Sequence, residues 1–191
     1  MRWYELAKIV HFMGLVALFG FFIINMRFST QLRAASQLSD VRTWLGVLQG
    51  ARGALHGGSG LLLISGIVMI ALRWRGSFPF AAIGMVTLLL IWALSVIGGR
   101  HLRSIRAVLP SNNGPIPENL RAMILAPRPW AVTAAMNGAA AGVLAVMTWK
   151  PGWTGAAATV LLTSAAGAMV GNASIRRQRE TASAGQFSTA G

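Results

Sequence analysis

The chain has 191 residues, 54% hydrophobic and 11% charged, against about 25% charge in a typical soluble domain, so most of its surface must face lipid. Its net charge of +13, from 17 basic and 4 acidic residues, would suggest nucleic acid on a soluble protein; here the cations fall between apolar runs, where they set topology against the anionic headgroups of a bilayer, and no nucleic-acid partner is expected. The absence of cysteine excludes disulfides, thiol catalysis, iron–sulfur clusters and Cys-ligated metal.

The first membrane span is predicted over 6–26, a helix rising roughly 31 Å, enough to cross the hydrocarbon core. It carries His11 near its start and Asn25 near its end, with Arg2 and Lys8 before it and Arg27 after it. His11, Gly14, Leu18, Phe22 and Asn25 follow helical spacing and make one face that should turn toward the bundle. No small-residue cleavage site closely follows the span, so it reads as a retained helix rather than a signal peptide.

Residues 27–53 are polar and basic, yet Leu32, Ala35, Leu38, Val41 or Leu45, and Leu48 recur at helical spacing opposite Arg33, Ser36, Gln37 and Asp40. Such a stretch either lies in the interface or extends the flanking helices, with Ser39 or Asp40 as N-cap for its second half. The second span is predicted over 54–72 and opens through Gly57, Gly58, Ser59 and Gly60; Ser59 and Gly66 share a face that a neighbour can approach closely. A short link follows, with Trp74 at headgroup level and Pro79 ready to open the third span, predicted over 80–98.

Beyond that span, Arg100, Arg103 and Arg106 can sit among lipid phosphates around His101. The segment PSNNGPIP is turn chemistry, and Pro117-Glu118 should start a short helix through Leu125. The APRP segment implies an extended lead into the fourth span, predicted over 130–149. Lys150-Pro151-Gly152 makes a tight turn, so the fifth span, predicted over 153–171, packs antiparallel to the fourth. Each of these two helices has a GxxxG, Gly138 with Gly142 and Gly167 with Gly171, the pattern of a close-packed pair. The division is thus a transmembrane domain over 1–172 and a basic tail over 173–191, expected to be disordered and cytoplasmic.

Five spans place the termini on opposite sides. Twelve of the 17 basic residues fall in the first and third loops and the tail, five on the other side, so the N-terminus is expected outside and the C-terminus inside. Trp3, Trp74, Trp149 and Trp153 would form the outer aromatic belt and Trp130 would belong to the inner one.

Few residues can carry chemistry. No carboxylate or lysine lies in the middle of a span, no GxGxxG or Walker sequence is present, and the methionines are scattered rather than paired as a copper path would need. The three histidines remain. His11 falls in the outer leaflet, while His56 and His101 fall at similar inner depth, so one haem or metal can use the latter pair but not His11 with His56. Structural roles stand beside this: His11 hydrogen-bonded to a neighbouring helix, His56 at the interface among glycines, His101 turned to headgroups.

The Lys8-x-x-His11 start with Gly14 and Gly20, the second helix with Arg52, His56 and Ser65-Gly66, and the third helix ending in a basic turn resemble small bacterial membrane proteins of the CopD/HemJ-like type, over about residues 6–150. The resemblance implies a multi-pass inner-membrane protein; HemJ-type members are haem-associated protoporphyrinogen oxidases and CopD-type members are linked to copper uptake. The chain departs from the HemJ pattern in reading FFIINMRF where a Tyr-Leu-Pro-Arg-like segment closes the first helix, and in having no lysine in the third span. The expectation is an all-α bundle of five transmembrane helices, with two functions open. One is a haem b or metal site at His56 and His101, with His11 separate. The other is a non-catalytic scaffold or partner subunit, in a homo-oligomer or with another membrane protein, whose histidines are structural; the balance leans away from an enzyme.

Overall fold

The computed structural model describes residues 2–73 and 78–188, with the backbone alone for 175 and 177–188. Trp74 and Arg75 lie outside the described residues. The protein is all-α: α1 (Arg2–Ala34), α2 (Leu38–Arg73), α3 (Pro79–Ala107), the short α4 (Glu118–Ile124), α5 (Pro127–Trp149) and α6 (Trp153–Ser188). Among the described residues there is no strand, and Gln37 and Pro115 form an isolated bridge. Five helices are long and apolar enough to cross a membrane, and each contains one of the spans expected from hydropathy.

The amphipathic stretch after the first span extends the flanking helices. α1 and α2 are 33 and 36 residues long, so each rises roughly 50 Å, well beyond the hydrocarbon core. Their ends beyond the core pack on each other and on α3 and α4 around Phe28, Leu32, Val41, Ile105, Leu120 and Ile124, all essentially fully buried. Burying these side chains, at about 1.5–3 kcal/mol each in contact with water, explains why the helices stay paired past the bilayer. α2 begins at Leu38, which puts Ser39 and Asp40 inside its first turn, where Asp40 faces the positive end of the helix dipole.

Arginines close this end of the bundle. Arg42 donates to Asn113 Oδ1 and the Pro110 carbonyl, both at 2.7 Å, and to the Asn112 carbonyl. Arg121 donates to the Ala35 carbonyl at 3.1 Å. Arg106, expected among lipid phosphates, donates instead to Gln49 Oε1 at 2.5 Å and the Leu45 carbonyl at 3.1 Å. The turn before α4 docks on the α1–α2 connection: the Leu38 N–H donates to the Gly114 carbonyl at 2.9 Å, an alignment that needs φ +148° at Gly114, open to glycine alone at no steric cost.

Three further expectations are corrected. The lead into the fourth span is not extended: α5 starts at Pro127, with only Ala126 extended ahead of it. Pro127 and Pro129 both fall in the first turn, where backbone N–H groups have no helical partner to lose. Trp130 is not in an interfacial belt. It is 5% exposed, its indole N–H donates to the Ile124 carbonyl at 2.6 Å, and its ring packs on Phe28 and under Arg33. The backbone after Gly171 continues as helix to Ser188 where a disordered tail was expected. Arg, Gln, Glu and Ala dominate that stretch, and extending a formed helix through good helix formers costs little once the span has nucleated it.

The spans form two tight pairs, α1 with α2 and α5 with α6, with α3 packed chiefly on α5. In the second pair the backbones touch. A Cβ on Gly138 would collide with the Thr163 carbonyl, one on Gly167 with the Ala134 carbonyl, and one on Gly142 would lie 3.0 Å from the Val160 Cα. Gly171 meets the Ala134 Cβ in the same seam. Lys150, in a left-handed conformation at φ 53°, caps α5 by donating its N–H to the Val146 carbonyl at 2.8 Å and turns the chain into α6.

Candidate functional site

In the first pair the contact centres on Gly14 and Gly58. A Cβ on Gly14 would lie 2.9 Å from the Gly58 carbonyl, and one on Gly58 would lie 3.0 Å from the Gly14 carbonyl. This close approach, one turn from His11, carries the imidazole across to α2, where His11 Nδ1 lies 3.0 Å from Ser65 Oγ. The Ser65 hydroxyl gives its own proton to the Leu61 carbonyl, so it accepts from His11, whose N–H is therefore on Nδ1. Nε2 is left as an acceptor.

Among the described residues, His11 lines the larger of two cavities. It has a volume of about 300 Å³ and lies between the α1–α2 pair and the α3–α5 side of the bundle. Leu15 and Leu18 of α1, Leu62 of α2, Leu88 and Ile91 of α3 and Val143 of α5 give it apolar walls. Gly66 stands in its wall with no atom nearer than 3.8 Å to an added Cβ, that atom being His11 Cε1. The size reaches the lower end of the range for small-molecule sites, and the composition, apolar walls with few polar groups, is typical of them. Tyr4, Lys8 and Lys150 line its end nearest the start of α1 and the end of α5.

The other two histidines are elsewhere. His56 is exposed on α2, and its Nδ1 accepts the Trp92 indole N–H at 2.9 Å, ring against ring edge. His101 is part-buried and lines a second cavity of about 50 Å³ with Arg52, Asn25, Ser95 and Thr133; among the described residues its Nε2 has no hydrogen-bond partner. Trp92 and His101 are nine residues apart on α3, roughly 13 Å along the axis and half a turn around it. His56, bonded to Trp92, and His101 thus belong to opposite faces of α3. Two nitrogens sharing one metal must lie within about 4 Å of each other, so the structure does not bring this pair together.

The residues therefore do not fit a haem held between His56 and His101. The second cavity is also far below the several hundred Å³ that a cofactor-sized ligand requires. Among the described residues no group of three or more His, Cys, Asp or Glu could hold a metal. His11 stands apart from both, because Ser65, its partner, is nine residues further along α2 than His56, again roughly 13 Å.

The Gly14–Gly58 contact, the Ser65 partner of His11 and the Trp92 partner of His56 were not anticipated as pairs. Each residue stood out or was ordinary by itself; register between helices is a property that one helix's spacing does not contain. Comparison of the chain with family models, with characterised proteins and with solved structures finds no match.

Proposed function

We propose that the chain is a bacterial inner-membrane protein, N-terminus outside and C-terminus inside, that binds a small apolar or amphiphilic ligand in the cavity beside His11 and acts without catalysis of its own, as a binding or partner subunit. The observation that carries the reading is the cavity itself. It is a formed, mainly apolar space of about 300 Å³ in the half of the bundle nearest the N-terminus, with His11 as a fixed polar contact. His11 donates to Ser65, whose own proton goes to the Leu61 carbonyl, so the imidazole is not placed as a base for that hydroxyl, and no carboxylate is among the described residues that line the cavity. The distribution of twelve cationic residues against five supports the orientation.

Binding is tested with the protein held in amphipol and titrated with two twelve-carbon probes, dodecanol and dodecanoate. Saturable binding of at least one, near one per chain and lost in Gly66→Leu, is the expected result; saturable binding of neither overturns the reading. A C-terminal alkaline phosphatase fusion should be inactive and a C-terminal fluorescent-protein fusion bright, and the reverse would invert the topology. The CopD/HemJ-type haem reading is tested by the visible spectrum of the purified protein. The expected spectrum has no Soret band, and a band abolished by His101→Ala or His56→Ala would overturn the assignment to a cofactor-free binding protein.

A further inference from the structure

The outer end of the cavity differs in charge from its walls. Lys8 and Lys150 line it with Tyr4 between apolar side chains, and both Lys8 and Arg73 stack over the Tyr4 ring, at 5.4 and 5.3 Å from its centroid. The acidic residues of the chain are Glu5, Asp40, Glu118 and Glu180, and no carboxylate is among the cavity-lining residues described. Glu5 pairs with Lys8 at 2.6 Å, but both are exposed, and a pair of that kind contributes about 0–1 kcal/mol, so an incoming anion can share the ammonium. From the level of Lys8 the cavity runs along α1 to Leu18, roughly 15 Å. That length suits an extended carbon chain of about a dozen atoms, with bonds of about 1.5 Å set in zigzag.

We propose that the ligand is a fatty-acid-like amphiphile: a single acyl chain lying along the cavity toward His11 and beyond, with its carboxylate held between Lys8 and Lys150. This rests on the reading of the cavity as a ligand site and specifies what it takes. One chain matches the width of a space of about 300 Å³. A monoanion matches the cationic end of the cavity, where Lys8 and Lys150 line it and no carboxylate is among the described lining residues. The chain enters laterally from the leaflet on the N-terminal side, where its carboxylate keeps the level of the headgroups and meets the lysines without being dragged through hydrocarbon.

The test compares four twelve-carbon probes on the full-length protein in amphipol at pH 8: dodecanoate, dodecanol, dodecylammonium and dodecyl phosphate. Dodecanoate should bind about tenfold tighter than dodecanol, the scale of one charge-assisted contact, and dodecylammonium weakest. In the Lys8→Gln, Lys150→Gln double variant the preference for dodecanoate should vanish while dodecanol affinity stays within about twofold, a change that loss of folding would not produce. Equal binding of dodecanoate and dodecanol by the wild type overturns the proposal, as does a preference that survives the double substitution, or tightest binding of dodecyl phosphate or dodecylammonium. In each of those cases, binding that Gly66→Leu still abolishes leaves the cavity reading standing. Binding of none of the four overturns both.

Discussion

The α5–α6 seam and the seam between the two helix pairs are both lined with small residues, yet one is closed and the other holds a cavity. Between α5 and α6 the two central glycines face backbone: Gly138 faces the Thr163 carbonyl and Gly167 the Ala134 carbonyl. Across the wider seam, Gly66 faces no backbone, and Gly84 faces the flexible end of Met147. A glycine lets helices approach only when the opposite surface is also low; where a long side chain stands opposite, or the neighbouring helix belongs to another tight pair, the missing Cβ is left as space. In lipid, where no water is released by closing such a gap, packing contacts alone decide whether it closes.

Substitutions should separate the two seams. The largest effect is expected for Gly138→Leu, which drives a side chain into the Thr163 carbonyl. Backbone cannot yield as a side chain can, so the loss should be about 3 kcal/mol or more, read as a collapse of the thermal midpoint and of the folded fraction in detergent. Gly14→Ala comes next. Its Cβ would lie 2.9 Å from the Gly58 carbonyl and 3.0 Å from the Leu61 Cβ, and relief by a small separation of α1 from α2 should cost about 1–3 kcal/mol. A full-sized drop in Gly14→Ala with none in Gly138→Leu would reverse the ranking of the two pairs. Ser65→Ala removes the acceptor of His11 and should cost about 1 kcal/mol, together with weaker binding of the twelve-carbon probes if the imidazole then turns out of the cavity.

The contrast between seams also marks what could be read from the chain alone. The five spans, their order and the pairing of α5 with α6 follow from runs of apolar residues, a tight Lys150-Pro151-Gly152 turn and GxxxG repeats, all local signals. The histidine site did not follow. His56 and His101 fall at comparable depth by residue counting, but depth ignores the rotation of α3 that puts Trp92 and His101 on opposite sides. Trp130 looked interfacial because it opens a span, yet α1 carries Phe28 and Arg33 to it, a contact set by helix extension beyond the membrane. The cavity is the least legible element, being made by what four helices fail to fill. The helical spacing of Gly14, Leu18, Phe22 and Asn25 marks the buried face of α1 beside His11, while Ser65, the partner of His11, carries no sequence signal beyond being small and polar.

The smallest effect, and the sharpest test of the difference between seams, is expected at Gly66. If Gly66 served close packing as Gly14 does, Gly66→Ala would destabilise by a comparable amount. The structure places nothing nearer than 3.8 Å to the added methyl, an ordinary van der Waals contact with His11. Against that, alanine in a helix interior is favoured over glycine by about 0.5–1 kcal/mol. Gly66→Ala should therefore leave stability unchanged or raise it by up to about 1 kcal/mol, measured as the midpoint of unfolding in mixed detergent beside Gly14→Ala. Because the methyl occupies only a small part of the cavity, a twelve-carbon probe should still bind, whereas Gly66→Leu should exclude it. A drop in Gly66→Ala as large as in Gly14→Ala would mean that α2 is closed against a neighbour at this level, and the distinction between a packed seam and a binding seam would fall with it.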